Sequence, residues 1–198
     1  MKKNASLSYK SSSAVLTCVL GLLSGCLYAG DPGHIDAEAG PARGLEGAQV
    51  KLIRYSTQCG LVEPQGLVAE VGDGLEYSSE IVKELDLTCS DVPNPSVEVH
   101  IDDRAVMFDF SNVTGPGWFP AGEFEGYILD IVHTEDSPFL VAAVVDREVS
   151  TLDIDDRDLI NDLDRLEVNL QGLQFDSNSF LKLDLYFLEL PVPSGQAN

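Results

Sequence analysis

Basic residues are scarce in this chain, because 12 Lys and Arg stand against 33 Asp and Glu in 198 residues. The formal net charge is −21. A surface this acidic repels phosphate groups, which excludes nucleic acid as a partner and disfavours anionic lipid headgroups. Such acidity most often serves solubility, and it also suits a saline habitat or loosely held divalent cations. The charge therefore excludes one class of partner and assigns no function.

The N-terminal region lacks an apolar run long enough to cross a bilayer as a helix. Residues 14–23 are largely apolar, but such a span needs about 20 residues. Three lysines, Lys2, Lys3 and Lys10, precede the run. A basic start followed by a short apolar stretch is typical of an export signal that is removed from the mature protein.

Four residues close this apolar run: Leu23, Ser24, Gly25 and Cys26. They resemble the lipobox of bacterial lipoproteins, in which Cys follows Leu, a small residue, and Gly or Ala. The resemblance implies cleavage before Cys26, which would carry a thioether-linked diacylglycerol and an N-acyl chain such as palmitate. Leu27 follows the cysteine, where an Asp in many Gram-negative lipoproteins favours the inner membrane. The resemblance therefore implies a lipid anchor in the outer membrane, facing either the periplasm or the exterior.

Two alternatives to lipoprotein processing stay open. Ordinary signal-peptidase cleavage after Ala29 would place Leu27 where small residues are preferred, and an uncleaved anchor would need a longer apolar stretch. Removal of residues 1–25 would leave nine basic and 33 acidic residues, a net charge of −24. The remaining length is enough for one domain with its own core.

The four cysteines divide into three roles. Cys18 lies inside the signal, and Cys26 is the predicted lipid carrier. An even pair in an exported protein most often forms a disulfide, so we predict that Cys59 bonds to Cys89. Closing that loop would stabilise the fold by about 3–4 kcal/mol on a chain-entropy model. Neither cysteine has a nearby His or a Cys-x-x-Cys spacing, which disfavours a metal site or a reactive thiol.

The chain divides into three parts: a signal peptide at 1–25, the lipidated cysteine and a flexible tether at 26–46, and one domain at 47–198. The tether is predicted from Gly, Ala, Pro and acidic residues without an apolar period. The domain alternates apolar and polar residues, which is typical of half-buried strands. We predict an all-β fold, a β-sandwich of about eight mainly antiparallel strands with at most one or two short helices. The predicted strands are 49–55, 66–71, 97–101, 106–110, 127–132, 139–145, 165–170 and 180–190.

Three segments carry more specific predictions. Residues 139–145 are continuously apolar, which predicts a central strand covered on both faces. Residues 75–85 fit either a helix or a strand, and we favour the strand. Residues 155–163 predict one or two helical turns with Asp155 as the N-cap.

Catalytic and zinc motifs are weak in this sequence. The Gly-x-Ser-x-Gly elbow of many serine hydrolases is absent, and His133 with Ser137 is interpreted as part of a polar loop. Glu98, His100 and Asp102 share one strand face and could bind zinc, but we favour the simpler interpretation of a solvent-facing polar stripe.

Calcium is the more plausible ion, since it prefers oxygen ligands. The densest acidic run contains Asp153, Asp155, Asp156 and Asp158, which are the candidate ligands. Asp158 stands where an EF-hand loop has glycine, so the match to that loop is poor. A solvated turn is the simpler interpretation. We therefore expect no cofactor, with calcium as the alternative.

Trp118 and Phe119 are candidate partner-binding residues, because they lie in a Gly- and Pro-rich loop that could present an aromatic to a protein or a glycan. The alternative is that both plug one end of the sandwich. Together these features predict a lipid-anchored cell-envelope protein with a non-catalytic binding or structural role. A calcium-dependent adhesion or ligand-binding module is one alternative, and an envelope hydrolase using paired carboxylates is another.

Overall fold

The computed structural model describes residues 44–59, 65–85, 92, 94–134 and 137–188. The predicted signal peptide, Cys26, most of the tether and Cys89 lie outside these residues. Within them the chain forms eleven strands, all paired antiparallel, and one short α-helix, which confirms the all-β prediction. The strands are β1 (Gln49–Ser56), β2 (Gly66–Glu70), β3 (Glu98–Asp102), β4 (Ala105–Asp109), β5 (Gly117–Trp118), β6 (Glu125–Ile131), β7 (Leu140–Val145), β8 (Leu159–Asp162), β9 (Arg165–Asn169), β10 (Gln174–Phe175) and β11 (Phe180–Phe187), and α1 is Ser79–Lys83.

The strands form two main sheets and a small ribbon. One sheet has the order β2-β1-β6-β9-β8, the other has the order β3-β4-β11-β7, and β5 pairs with β10 alone. The inner faces of the two main sheets share one apolar core. The ring of Phe108 on β4 lies 5.3 Å from that of Tyr127 on β6. This packing of two antiparallel sheets is the predicted sandwich architecture.

The alternation read from the sequence determines which side chains enter the core. On β11, Leu181, Leu183, Leu185 and Phe187 are all buried, while the residues between them are partly or fully exposed. Burying each such side chain contributes about 1.5–3 kcal/mol. The long alternating strand was predicted, and in the structure it lies inside the four-stranded sheet, between β4 and β7.

The prediction of a central strand at 139–145 is wrong. β7 lies at the edge of its sheet, and Val141 and Val144 are 52% and 39% exposed. A register shift opposite Tyr186 and Phe187 leaves Val141 without a paired residue on β11, which breaks the alternation. The open edge is covered from β8 and the turn after it, since Leu140 donates to the Leu163 carbonyl at 2.8 Å and Asn161 donates to the Val141 carbonyl at 2.8 Å. This cover blocks pairing with another chain.

The strand favoured for residues 75–85 is also wrong, because its centre forms α1. Val82 and Leu85 are buried at helical spacing, and Tyr77 alone bridges to Val99. The Asn94 amide donates to the Val82 carbonyl at 3.2 Å and lies close to two neighbouring carbonyls. These bonds satisfy groups that the end of a short helix leaves open.

Residues 155–163 contain one helical turn, within the predicted range of one or two. Asp155 is the N-cap, as expected, and the turn is a 3₁₀ helix of three residues, Asp156–Asp158. The chain then enters β8, where Leu159 is buried.

The described fold begins within the segment predicted as a tether. Leu45 is fully buried, and its backbone N–H donates to the Asp103 carbonyl at 2.8 Å. A Cβ at Gly44 would overlap the Asp103 side chain, so this part of the chain passes closely over the β3–β4 turn.

Candidate functional site

The ribbon of β5 and β10 presents the most exposed large apolar side chain of the described residues, Trp118 at 65% exposure. Trp118 pairs with Gln174, and Gly117 pairs with Phe175. Neighbours in a strand point to opposite faces, so Trp118 and Gln174 share the outer face. A Cβ at Gly117 would lie only 2.5 Å from the Phe175 ring, which is too close, so the packing of this ring requires glycine at position 117.

Phe119 turns inward and fastens the ribbon to the core. Its ring lies 5.0 Å from that of Phe175 and 6.1 Å from that of Phe110. Its backbone N–H donates to the Leu173 carbonyl at 2.9 Å, and its carbonyl accepts from Gly172 at 2.9 Å. The two interpretations of this dipeptide, partner binding and plugging the sandwich, therefore each apply to one of the two residues. Phe119 plugs the end of the sandwich and has no surface for a partner, whereas Trp118 is presented to solvent on a fixed backbone.

A cleft of about 480 Å³ opens beside Trp118. Its lining combines polar side chains with the rings of Trp118 and Phe175. The lining residues are Pro116, Gly117, Trp118, Thr151, Gln174, Phe175, Asp176, Asn178 and Ser179. Asp176 Oδ1 accepts from the Asn178 backbone N–H at 2.8 Å. The side-chain amides of Gln174 and Asn178 and the second oxygen of Asp176 have no hydrogen-bond partner among the described residues, so they can bind a ligand.

Thr151, which lines the cleft, is held in place by Phe180, the first residue of β11. Thr151 Oγ1 accepts from the Phe180 N–H at 2.8 Å, and the Thr151 N–H donates to the Phe180 carbonyl at 2.8 Å. The turn before Thr151 is fixed by Asp146, whose Oδ2 accepts from Lys182 Nζ at 2.8 Å. The Lys182 ammonium holds the pKa of Asp146 below its usual value, and Asp146 in turn raises the pKa of Lys182. The cleft is thus preformed on supported backbone.

A buried ion pair lies behind Phe119. Arg54 on β1 and Glu125 on β6 are each 1% exposed and are joined by a salt bridge through Arg54 Nη2. Arg54 Nη1 also donates to the Gly126 carbonyl at 2.9 Å. The guanidinium lies over the rings of Phe119 and Tyr127, 5.4 and 5.3 Å from their centroids. Burial raises the pKa of Tyr127 to about 12. The ion pair therefore holds the Arg54 guanidinium in the position where the Phe119 ring packs against it.

The sequence carried a signal for this pair. Arg54 follows Val50 and Leu52 on the inward-facing positions of β1, and Glu125 precedes Tyr127 on those of β6. Charged residues at the buried positions of two strands indicate mutual pairing, because an isolated buried charge is very costly.

Two of the acidic side chains that were candidate calcium ligands form ion pairs with arginines. Arg157 Nη2 lies 2.6 Å from Asp155, and Arg147 Nη2 lies 3.5 Å from Asp156. Asp158 accepts from the Asp155 backbone at 3.1 Å, while Asp153 is exposed.

Two of the three candidate zinc ligands, Glu98 and His100, also contact residues outside this set. His100 contacts Asp102 at 2.9 Å and the buried Glu76 at 3.3 Å, while Glu98 accepts from Asn112 at 2.8 Å. Within the described ranges, no group of three or more His, Cys, Asp or Glu side chains is arranged to hold a metal ion.

The remaining candidate residues have local roles. Ser137 Oγ donates to the Val132 carbonyl at 3.2 Å, and the His133 ring packs on Phe139 at 5.0 Å. These contacts match the interpretation of this segment as a polar loop. Cys59 is half-buried and disulfide-bonded. Because Cys89 lies outside the described residues, its pairing with Cys59 stays a prediction.

No known family model, characterised protein or solved structure matches this chain. In the part of the chain that the structure describes, no helix is long and apolar enough to cross a membrane.

Proposed function

We propose that this protein is a lipid-anchored cell-envelope module that binds a partner without catalysis, and that the cleft beside Trp118 is its binding site. The observation that carries the proposal is the exposure of Trp118 on a ribbon whose other face is locked into the core. Exposed, rigidly held aromatics are enriched at binding sites, because they bury much apolar area and lose little conformational entropy on binding.

The polar groups of the cleft favour binding over reaction. A hydrolytic site needs a nucleophile or water-activating base aligned with a second polar group. The cleft instead offers two side-chain amides, the Asp176 carboxylate and the hydroxyls of Thr151 and Ser179, with no histidine among its lining residues. Both hydroxyls are hydrogen-bonded within the protein, Thr151 Oγ1 to the Asn178 carbonyl at 3.0 Å and Ser179 Oγ to Asp176 Oδ1 at 3.4 Å. Such groups orient a ligand by hydrogen bonds. The calcium-dependent module and the hydrolase stay as alternatives, since their candidate residues lie elsewhere.

The test is binding of the purified mature protein to detergent-extracted envelope fragments, measured by co-sedimentation. We expect Trp118→Ala to reduce the bound fraction at least about tenfold, because it removes the apolar anchor. Tyr186→Ala is the matched control, since Tyr186 is a 53% exposed aromatic outside the cleft. Equal binding by wild type and Trp118→Ala would refute the cleft as the binding site.

The predicted anchor has its own test. Cys26→Ser should release the protein from the membrane fraction or leave it as unprocessed precursor, because three acyl chains hold a protein far more firmly than none. Fractionation after labelling with a radioactive fatty acid would measure both effects. A variant that stays with the outer membrane and still carries label would contradict the lipoprotein assignment.

A further inference from the structure

We propose that the ligand of the Trp118 cleft is a neutral glycan, with one sugar ring stacked on the indole of Trp118. This inference rests on the proposed function, because it names the chemical class that the same site binds. The size, polarity and charge of the cleft all favour this class of ligand.

The size of the cleft suits a small ligand. Its volume of about 480 Å³ falls within the roughly 300–1,000 Å³ typical of small-molecule sites. Trp118 lines it together with Thr151 and Asn178, whose carbonyl accepts from Thr151 Oγ1 at 3.0 Å. An extended oligosaccharide could place one or two rings in such a cleft and leave its ends in solvent.

The polarity of the cleft matches the two sides of a sugar ring. A pyranose has an apolar C–H face, which stacks on an aromatic ring, and a perimeter of hydroxyl groups. Gln174 is directly opposite Trp118 in the ribbon, so its amide lies beside the stacking surface. The free groups of Gln174, Asp176 and Asn178 include both donors and acceptors, as hydroxyl groups require.

The charge of the site selects against anionic ligands. The lining residues include one carboxylate, Asp176, and no lysine or arginine. The whole chain carries a net charge of −21, which repels phosphorylated, sulfated or uronic-acid polymers. Neutral sugars, including N-acetylated ones, meet no such repulsion.

A protein partner fits the site less well. Hot spots in protein interfaces are apolar anchors that enter desolvated pockets. Here the apolar anchor projects from the protein, while the cleft beside it offers polar groups to whatever enters. Phe119 is buried, and Phe175 lines the cleft but is only 7% exposed, so the aromatic core offers little apolar surface at this end of the sandwich.

Fluorescence gives a direct test, because Trp118 is the only tryptophan in the chain. The purified mature protein, kept in a polyoxyethylene detergent so that no glycoside headgroup competes, would be titrated with neutral oligosaccharides of glucose, mannose and N-acetylglucosamine. Oligogalacturonate serves as the anionic probe. We expect saturable quenching or a blue shift with at least one neutral series and none with the anionic probe.

Calorimetry on variants completes the test. Trp118→Ala should weaken binding of that neutral series about tenfold or more, Trp118→Tyr should retain most of it, and Tyr186→Ala should leave it unchanged. Asp176→Asn and Asn178→Ala should each weaken it, with no change in melting temperature.

The possible outcomes distinguish failure of the glycan assignment from failure of the binding function. If no neutral series binds, or if binding ignores Trp118→Ala, the glycan assignment is overturned. If envelope fragments still bind through Trp118 in that case, the binding function stands with a different ligand, such as a protein. If neither glycan nor envelope binding depends on Trp118, both proposals fail together.

Discussion

Replacing Glu125 with Gln should lower the free energy of unfolding by about 3 kcal/mol, at the lower end of the loss expected when one partner of a buried ion pair is removed. The substitution keeps the shape of the side chain but removes the carboxylate charge that pairs with the buried Arg54 guanidinium. The carbonyls of Tyr55 and Gly126 and the two aromatic rings would still contact the cation. For a domain of this size the loss corresponds to a melting temperature lower by about 6–12 °C.

Urea unfolding followed by circular dichroism would measure this loss. The double variant Arg54→Met/Glu125→Leu should recover most of it, because a well-packed apolar pair can replace a buried ion pair at little or no cost. Asp130→Asn is the control at an exposed pair. Asp130 accepts from Arg165 Nε at 2.6 Å, yet its loss should cost less than about 1 kcal/mol. A double variant as unstable as Glu125→Gln would contradict the buried-charge explanation.

The strands could be predicted because the burial pattern of a half-buried strand is local. β3, β9 and β11 alternate along their own sequence, and each lies close to its predicted position. The position of a strand within its sheet depends instead on partners distant in sequence. The apolar run at 139–145 therefore predicted a strand correctly but predicted its place wrongly, because β7 pairs only with β11 and its other edge meets β8.

The candidate site could be predicted only in part from the sequence. The dipeptide Trp118-Phe119 indicated where the site lies. Successive side chains of a strand point to opposite faces, so one of the two rings was expected to face inward and the other outward. Which of the two faces inward depends on Phe110 and Phe175, which are brought there by other strands. The cleft also needs Thr151, whose place is set by pairing with Phe180. No local pattern joins these segments.

The second large effect is expected at high pH. Burial raises the pKa of Tyr127 to about 12, while the unfolded chain keeps the ordinary value near 10. A folded-state pKa above the unfolded value means that the native state holds its proton more tightly. The stabilisation is fully present below pH 10 and is lost as the pH rises through 12. Between about pH 9 and 12, Tyr127 alone should lower the free energy of unfolding by about 2 kcal/mol.

Comparing wild type with Tyr127→Phe isolates this contribution. Tyr77 is also buried, with its pKa raised to about 12, so both proteins should lose stability at alkaline pH, and the wild type should lose about 2 kcal/mol more. At pH 7 the two should differ by about 1 kcal/mol at most, since the change keeps the ring and removes one hydroxyl, and a single hydrogen bond contributes about that much. The control is Tyr186→Phe, which removes a hydroxyl from an exposed ring and should leave the pH profile unchanged. Parallel profiles for wild type and Tyr127→Phe would mean that Tyr127 ionises freely in the folded protein, and that the layer around Arg54 admits water.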